Sequence, residues 1–152
     1  MAKDELLAAA TQTGRVERIG VRPVKRGAVE EVQSWTVGTT ADHAANRTMR
    51  GVTLIQAEHV PAIGAILGRP VDALVMRRNV VVSGLNVASL MGRRFTVGEV
   101  VLEGTEPCDP CEHMERILGP GGYAAMVGMG GLCARIVQGG TVHVGDEVCV
   151  SS

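Results

Sequence analysis

The chain has 152 residues, a net charge of −1 and 45% apolar side chains, which is the profile of one globular domain that buries its core without disulfides or metal. The small net charge excludes a global field that would draw the protein onto nucleic acid or a membrane surface. With one Trp, one Tyr and one Phe, the chain has too few aromatic residues for a base-stacking surface, and its core must be aliphatic.

The N-terminal segment lacks the pattern of an export signal. Asp4 and Glu5 precede a very short apolar stretch, and no apolar run in the chain reaches membrane-spanning length. We therefore expect a cytoplasmic protein that has no membrane or nucleic-acid partner. In that compartment the four cysteines are expected to remain reduced thiols.

The first half of the chain is predicted to alternate short strands with two helices. A short amphipathic helix over 1–13 forms an N-terminal extension, and residues 14–152 form the domain itself. Alternating or clustered apolar residues predict strands at residues 15–22, 29–37 and 51–55. A helix is predicted over 56–67, because Pro61 fits its first turn and Gly68 ends it.

The second half is predicted to be rich in strands. Apolar runs predict them at residues 80–82, 95–97, 100–102, 134–137, 141–144 and 147–150. A helix is predicted over 109–118, a Gly-rich loop over 119–131, and a hairpin turn at Gly139-Gly140. Many short strands with about three helices predict one mainly β domain, a closed barrel with a few short helices.

Cys111 occupies a predicted helix start with favourable chemistry for a thiolate. Asp109 suits the N-cap, Pro110 suits the first helical position, and Glu112 completes a capping box. Cys111 then lies among the free N–H groups of the first turn, where the positive end of the helix dipole favours a negatively charged sulfur. We interpret Cys111 as the reactive thiolate of the protein.

Other interpretations of the cysteines are open. Most cysteines of cytosolic chains are buried and inert, and Cys133 and Cys149 within apolar strands fit that description. The Cys108 and Cys111 pair has the spacing of half a structural zinc site, but no second pair with ligand spacing is present. A thioredoxin-like redox pair would need a βαβ pattern that the surrounding sequence lacks.

A cationic segment, Arg77-Arg78-Asn79, directly precedes the three-valine strand. Two guanidinium groups and an amide at a strand entrance can hold a phosphate and a ring edge. A second candidate is Asp42-His43, in a polar loop with arginines nearby, although by itself this pattern fits a solvated loop better than a site. The chain has no phosphate-loop, nucleophile-elbow, metalloprotease or dinucleotide motif.

Taken in order, several sequence blocks resemble the MOSC domain, named for the C-terminal domain of molybdenum cofactor sulfurase. The resemblance runs from about residue 14 to residue 150, with Ala41 where the family usually has a second glycine before Asp-His. The blocks are Gly38…Asp42-His43, Val52-Thr53-Leu54-Ile55, Arg77-Arg78-Asn79…Ser83-Gly84, Gly92…Gly98, Pro110-Cys111 and Gly139-Gly140…Gly145-Asp146.

The resemblance implies a barrel-like β fold and a cysteine that either coordinates molybdenum in a pterin cofactor or carries a persulfide. By motif, that cysteine is Cys111. The family's cofactor-holding Arg and Asn fall on Arg77 and Asn79, with Arg78 between them. The other expected cofactor contacts, on the remaining blocks, are Asp42, His43 and Thr53.

Three functions follow from the resemblance. The first is a molybdenum enzyme that reduces N-hydroxylated or N-oxide small molecules with electrons from an external donor. The second is a sulfur carrier that receives a persulfide on Cys111 from a sulfur donor protein, with Cys108 as the resolving thiol. The third is a module that binds the cofactor without turnover. Pyridoxal phosphate chemistry is not expected in this chain alone, because it has no aminotransferase-like domain.

Overall fold

Ten strands, four α-helices and one 3-10 helix form within the described residues, 1–8, 12–23, 27–38 and 51–150, of the computed structural model. The strands are β1 (Thr13–Val21), β2 (Glu30–Val32), β3 (Ser34–Val37), β4 (Val52–Gln56), β5 (Val80–Ser83), β6 (Arg94–Val97), β7 (Val100–Pro107), β8 (Leu132–Gln138), β9 (Gly140–His143) and β10 (Glu147–Val150). The helices are α1 (Lys3–Ala8), α2 (His59–Leu67), α3 (Glu112–Leu118), α4 (Gly122–Met126) and the 3-10 helix Val87–Leu90.

Seven strands close into a barrel in the order β10-β6-β7-β8-β4-β5-β1, and pairing of β10 with β1 completes the ring. The prediction of a mainly β, closed-barrel fold is therefore confirmed. Among these seven strands only β4 and β5 are parallel, and α2 lies on the crossover that a parallel pair requires. Beside the barrel, β2 adds to β1, and β3 pairs with β9 as a separate two-stranded sheet.

Two apolar clusters lie on opposite sides of the barrel wall. Val80 and Val82 of β5 point into the barrel, whereas Val81 points outward to the helices. The interior cluster includes Ile19, Leu54, Phe95, Leu102 and Leu132, and the outer one includes Ile55, Ile63, Met76, Met114 and Met126. No helix in the described ranges combines the length and apolar character needed to cross a membrane.

Two strand predictions are wrong in their pairing. The predicted strand 29–37 is two strands, β2 and β3, which belong to different sheets. The predicted hairpin at Gly139-Gly140 does not form between the described strands β8 and β9, because β9 pairs with β3 instead. At this point a Cβ on Gly139 would lie only 2.5 Å from the Val37 carbonyl oxygen. The two glycines therefore allow close approach of β3 rather than a tight turn.

The helical segment after β7 also differs from prediction. α3 begins at Glu112 instead of Asp109, and Cys111 is its N-cap residue with extended backbone angles. The physical reason is that the Cys108 amide donates to the Gly131 carbonyl, which continues the strand-like path past β7. The predicted loop 119–131 contains α4, whose first turn is held by Glu115: its carboxylate accepts hydrogen bonds from the amides of Gly121 and Tyr123.

The capping of α4 by Glu115 predicts acid sensitivity of this helix. Hydrogen bonds from the amides of Tyr123 and Gly121 hold the pKa of Glu115 below its usual value. A lowered pKa in the folded state means that the stabilisation is present at neutral pH and is lost as the pH falls below about 4.5. Hydrogen exchange at Gly121 and Tyr123, corrected for intrinsic rates, should therefore become faster in acid.

Glu115→Gln should remove most of this acid dependence, because glutamine does not titrate. The matched variant is Glu112→Gln, on α3, the helix that also carries Glu115. The side chain of Glu112 pairs only with exposed Arg116 among the described residues. Glu112→Gln should leave the hydrogen exchange rates of the α4 amides unchanged. Equal pH profiles for wild type and Glu115→Gln would contradict the role of this carboxylate.

Candidate functional site

A cavity of about 550 Å³ opens where the ends of β1 and β3 meet the turn that leads into β5. We call it the arginine cavity. Its polar and aromatic lining residues are Arg22, Trp35, Thr53, Arg77, Arg78 and Asn79. No described Asp or Glu residue lines it, so its described side-chain charges are all positive. The structure thus brings together four of the residues predicted from the sequence: Thr53, Arg77, Arg78 and Asn79.

Asn79 fixes the position of the cationic turn. Its Oδ1 accepts hydrogen bonds from the Thr53 amide (3.0 Å) and the Thr53 hydroxyl (3.1 Å), while its Nδ2 donates to the Gly20 carbonyl (3.1 Å). These contacts join β4 and β1 at the entrance of β5. One Nδ2 hydrogen is left for another partner. Asn79 and Thr53 therefore act first as positioning residues.

Arg78 is a buried cation, with 6% of its surface exposed. Its guanidinium donates to three backbone carbonyls: Gly130 (2.6 Å), Met76 (2.8 Å) and Cys108 (3.3 Å). It makes no salt bridge with another described residue. A buried charge is costly unless it is compensated, and carbonyl dipoles compensate it only in part. The positive charge of Arg78 therefore favours an anion in the cavity.

Arg77 differs from Arg78 in its contacts and in its backbone conformation. It makes no side-chain hydrogen bond or ion pair with another described residue, and its φ of 61° is the only positive value among the described residues other than glycine. Such a backbone conformation costs about 1–3 kcal/mol and persists where the surrounding structure enforces it. The strained turn leaves the Arg77 guanidinium available to a ligand.

A second cavity, of about 450 Å³, shares Arg77 with the arginine cavity, and its described charges are balanced, with two arginines and two carboxylates. Here Arg18 contacts Glu31 (2.9 Å) and Asp72 (3.1 Å). The backbone amide of Leu74, together with Arg18, holds the pKa of Asp72 below its usual value. The arginine cavity differs because none of its described lining residues carries a negative charge.

Cys111 lies at a separate cavity of about 280 Å³, which we call the thiol cavity. The thiol side chain of Cys111 is exposed and forms no capping hydrogen bond with its helix. Cys108 and buried Cys133 line the same space. Cys133 of β8 pairs with Glu106 of β7, which places it diagonally across from Cys108 on the same strand-like path.

The arginine cavity and the thiol cavity are connected through Arg78 and Gly130. Arg78 lines the arginine cavity and holds the carbonyl of Cys108 in the thiol cavity. A Cβ on Gly130 would lie 2.1 Å from the Cys108 carbonyl oxygen, so that only glycine allows this contact. Arg78 thus lies between the thiol cavity, which contains Cys111, and the cavity of the predicted anion contacts.

Four further residues show where the sequence prediction and the described structure differ in coverage. Asp42 and His43 lie outside the described residues. Arg22 and Trp35 were not predicted, because nothing in their spacing relates them to residue 77, and only the convergence of β1 and β3 brings them there. No group of three or more His, Cys, Asp or Glu side chains in the described ranges is arranged to hold a metal ion.

Comparison with known proteins agrees with this architecture. The model of the MOSC domain family matches residues 39–149, well over half of the chain. The chain belongs to the MOSC domain family. No curated protein matches the sequence of this MOSC domain.

Solved structures share the fold of this MOSC domain at low sequence identity. The YuaD protein from Bacillus subtilis has a TM-score of 0.78 and 18% identity, over 93% of this chain and 97% of that one. YiiM from Geobacillus stearothermophilus has a TM-score of 0.75 and 18% identity, over 91% and 75%. YiiM from Escherichia coli has a TM-score of 0.67 and 15% identity, over 94% and 70%.

The adjacent arginines of this MOSC domain should respond differently to the same substitution. Arg78→Lys should destabilise the protein by about 3 kcal/mol, because one ammonium group cannot reach three carbonyls and leaves buried acceptors unpaired. Arg77→Lys should change stability by less than about 0.5 kcal/mol, because no described contact is lost. Urea unfolding monitored by circular dichroism measures both values, and similar losses at the two positions would contradict the assignment.

Proposed function

We propose that this MOSC protein binds a molybdenum pterin cofactor, with Cys111 as the protein ligand of the metal and the arginine cavity holding the anionic part. The observation that carries the proposal is Arg78, a buried cation without a described counter-ion that lies between the two cavities. An anionic ligand would balance that charge. The family membership of the chain supports the same ligand class.

The residues at the thiol cavity suit a soft metal. Cys111 is exposed and free of any capping hydrogen bond, so that its sulfur can reach a ligand without breaking a contact in the fold. Thiolate sulfur is a ligand preferred by soft metals. Since the described residues contain no ready-made metal cluster, most ligands of the metal would come from the cofactor.

The residues at the arginine cavity suit a phosphate. Arg77 has no described partner, and a guanidinium forms paired, charge-assisted hydrogen bonds with phosphate oxygens. Asn79 retains one free N–H for the ligand, while its other contacts, with Thr53 and Gly20, hold the turn in place. In this proposal Arg77 binds the anion directly, and Arg78 contributes charge and position.

We propose that the protein reduces small N-hydroxylated or N-oxide compounds in the cytoplasm, with electrons from an external donor protein. Bound molybdenum would supply the two-electron chemistry. Cys111 and Arg77 would hold the cofactor, and the exposed position of Cys111 would leave the metal accessible. The exposure of Cys111 supports access for a small substrate and for the donor.

A second candidate function is favoured by the number of thiols at the site. Three cysteines, Cys108, Cys111 and Cys133, line the thiol cavity. A persulfide on Cys111, received from a sulfur donor protein, could be released by attack of the Cys108 thiolate, which forms a disulfide and liberates hydrosulfide. A third candidate is a cofactor-binding module without turnover.

One preparation separates these functions. The protein is purified from a host that makes the molybdenum pterin cofactor, and bound molybdenum, pterin and cyanide-releasable sulfur are measured per chain. Stoichiometric molybdenum and pterin, with turnover of a hydroxylamine compound, is the result expected for the enzyme. The same loading without turnover indicates the binding module. Releasable sulfur without molybdenum indicates the carrier, and absence of all three contradicts the proposal.

A further inference from the structure

We propose that Trp35 is the stacking face of the arginine cavity and that Arg22 is a second phosphate-binding cation, so that the cavity selects ligands in which a flat heteroaromatic ring carries a phosphate. This inference deepens the proposed function and rests on it for the placement of the ligand. It assigns roles to two residues that the motifs of the sequence did not identify.

The indole of Trp35 has surface in two environments. On β3 it pairs across from Val142 of β9, and it packs partly against the interior cluster of the barrel. Trp35 also lines the arginine cavity. Trp35 is half-buried, whereas its strand neighbours Ser34 and Thr36 are exposed. A large, rigid aromatic face at the edge of a cavity is well suited to stack on a planar ring.

Arg22 adds a third guanidinium to the same cavity. It directly follows β1 and lines the cavity with Arg77 and Arg78, and it makes no ion pair with another described residue. The neighbouring cavity shows how this chain treats a cation that needs no ligand, because Arg18 there contacts two carboxylates. By that contrast, Arg22 and Arg77, which have no carboxylate partner among the described residues, are placed for an anionic ligand.

Ring and phosphate together match the cavity better than either alone. Its volume of about 550 Å³ lies within the range typical of small-molecule sites. Inorganic phosphate or a sugar phosphate would satisfy the arginines and leave the indole facing water. A planar ring without phosphate would leave the positive charge unbalanced. Stacking of a base on an aromatic side chain typically changes affinity by roughly tenfold or more.

Trp35 is the only tryptophan of the chain, so its fluorescence reports directly on this cavity. The protein is produced in a host that cannot make the pterin cofactor and is titrated with guanosine monophosphate, ribose 5-phosphate, guanosine and inorganic phosphate. Guanosine monophosphate should quench the indole in a saturable way and bind roughly tenfold more tightly than ribose 5-phosphate. Excitation at the red edge of the indole band avoids absorption by guanine.

Variants at the two residues test the separate roles, with affinity measured by calorimetry. Trp35→Leu should abolish the preference for guanosine monophosphate over ribose 5-phosphate. Trp35→Phe keeps an aromatic face and should keep most of that preference, which guards against a general effect of Trp35→Leu on folding. Arg22→Gln should weaken the binding of guanosine monophosphate and of ribose 5-phosphate by a similar factor of roughly ten. Arg116→Gln, at an exposed helix pair, is the matched control and should change neither affinity.

Several results would overturn the inference. These are equal affinities of the wild type for guanosine monophosphate and ribose 5-phosphate, an undiminished ring preference in Trp35→Leu, or no binding of either phosphate ester. Because the measurement uses cofactor-free protein, it is independent of molybdenum loading. A loaded MOSC protein without ring preference refutes this inference alone, whereas ring preference without molybdenum loading refutes the proposed function alone.

Discussion

Replacing Cys111 with alanine should eliminate bound molybdenum from protein purified in a cofactor-competent host, while the free energy of unfolding of the cofactor-free variant stays within about 0.5 kcal/mol of that of the cofactor-free wild type. The two parts of this expectation come from the same observation. The side chain is exposed and forms no capping hydrogen bond, so that alanine removes no packing and no contact of the fold. What is lost is the sulfur, and with it the only protein ligand of the metal in the proposed function.

The matched variant for Cys111→Ala is Cys149→Ala. Cys149 is a half-buried thiol on β10 that does not line the thiol cavity. This variant should retain molybdenum at the wild-type ratio. The readout is molybdenum per chain in the wild type, Cys111→Ala and Cys149→Ala, together with urea unfolding of the three proteins in their cofactor-free forms. Full molybdenum content in Cys111→Ala would show that the metal does not depend on this thiolate.

Gly131→Ala is expected to destabilise the protein by more than about 4 kcal/mol, at the high end for a single substitution. A Cβ at this position would lie 1.9 Å from the Leu54 carbonyl oxygen, and the backbone φ of 98° is one that alanine rarely adopts. The Gly131 carbonyl also accepts the hydrogen bond of the Cys108 amide. Displacement of this residue would therefore disturb the thiol cavity as well as β4.

Gly128→Ala separates backbone strain from steric collision. Gly128 also has a positive φ, 79°, but an added Cβ would meet no atom within 4 Å. Its cost should be limited to the conformational penalty of about 1–2 kcal/mol. Thermal or urea unfolding compares the two variants directly. Similar losses for both would mean that the contact between Gly131 and Leu54 does not constrain the fold.

Local patterns of the sequence predicted much of the barrel but little of its pairing. The roles of the valines of β5 and of the glycine after α2 depend only on residues close by in the sequence, and both roles were predicted correctly. The partner of β9 was not, because Gly139-Gly140 is typical of a hairpin and its actual role depends on β3, about a hundred residues away. Strand pairing of this kind depends on tertiary packing, which a short stretch of sequence does not reveal.

The candidate site shows the same division. The motif identified Arg77 and Arg78 together, and two identical residues side by side give no basis for separating them. Only the fold shows that Arg78 is buried against three carbonyls and that Arg77 is left without a described partner. Trp35 was predicted as a strand residue, but its place beside the arginines depends on how two sheets meet.

The pairing of β1 with β10 also has a consequence for the timing of folding during protein synthesis. Thr13 and Cys149 are partners in this ladder, so the barrel cannot close until β10 has left the ribosome. Until then the start of β1 has an open edge, whereas its far end, which lines the arginine cavity, can already pair with β2 and β5. Closure by β10 is therefore a late step of folding that uses none of the described residues lining the arginine cavity.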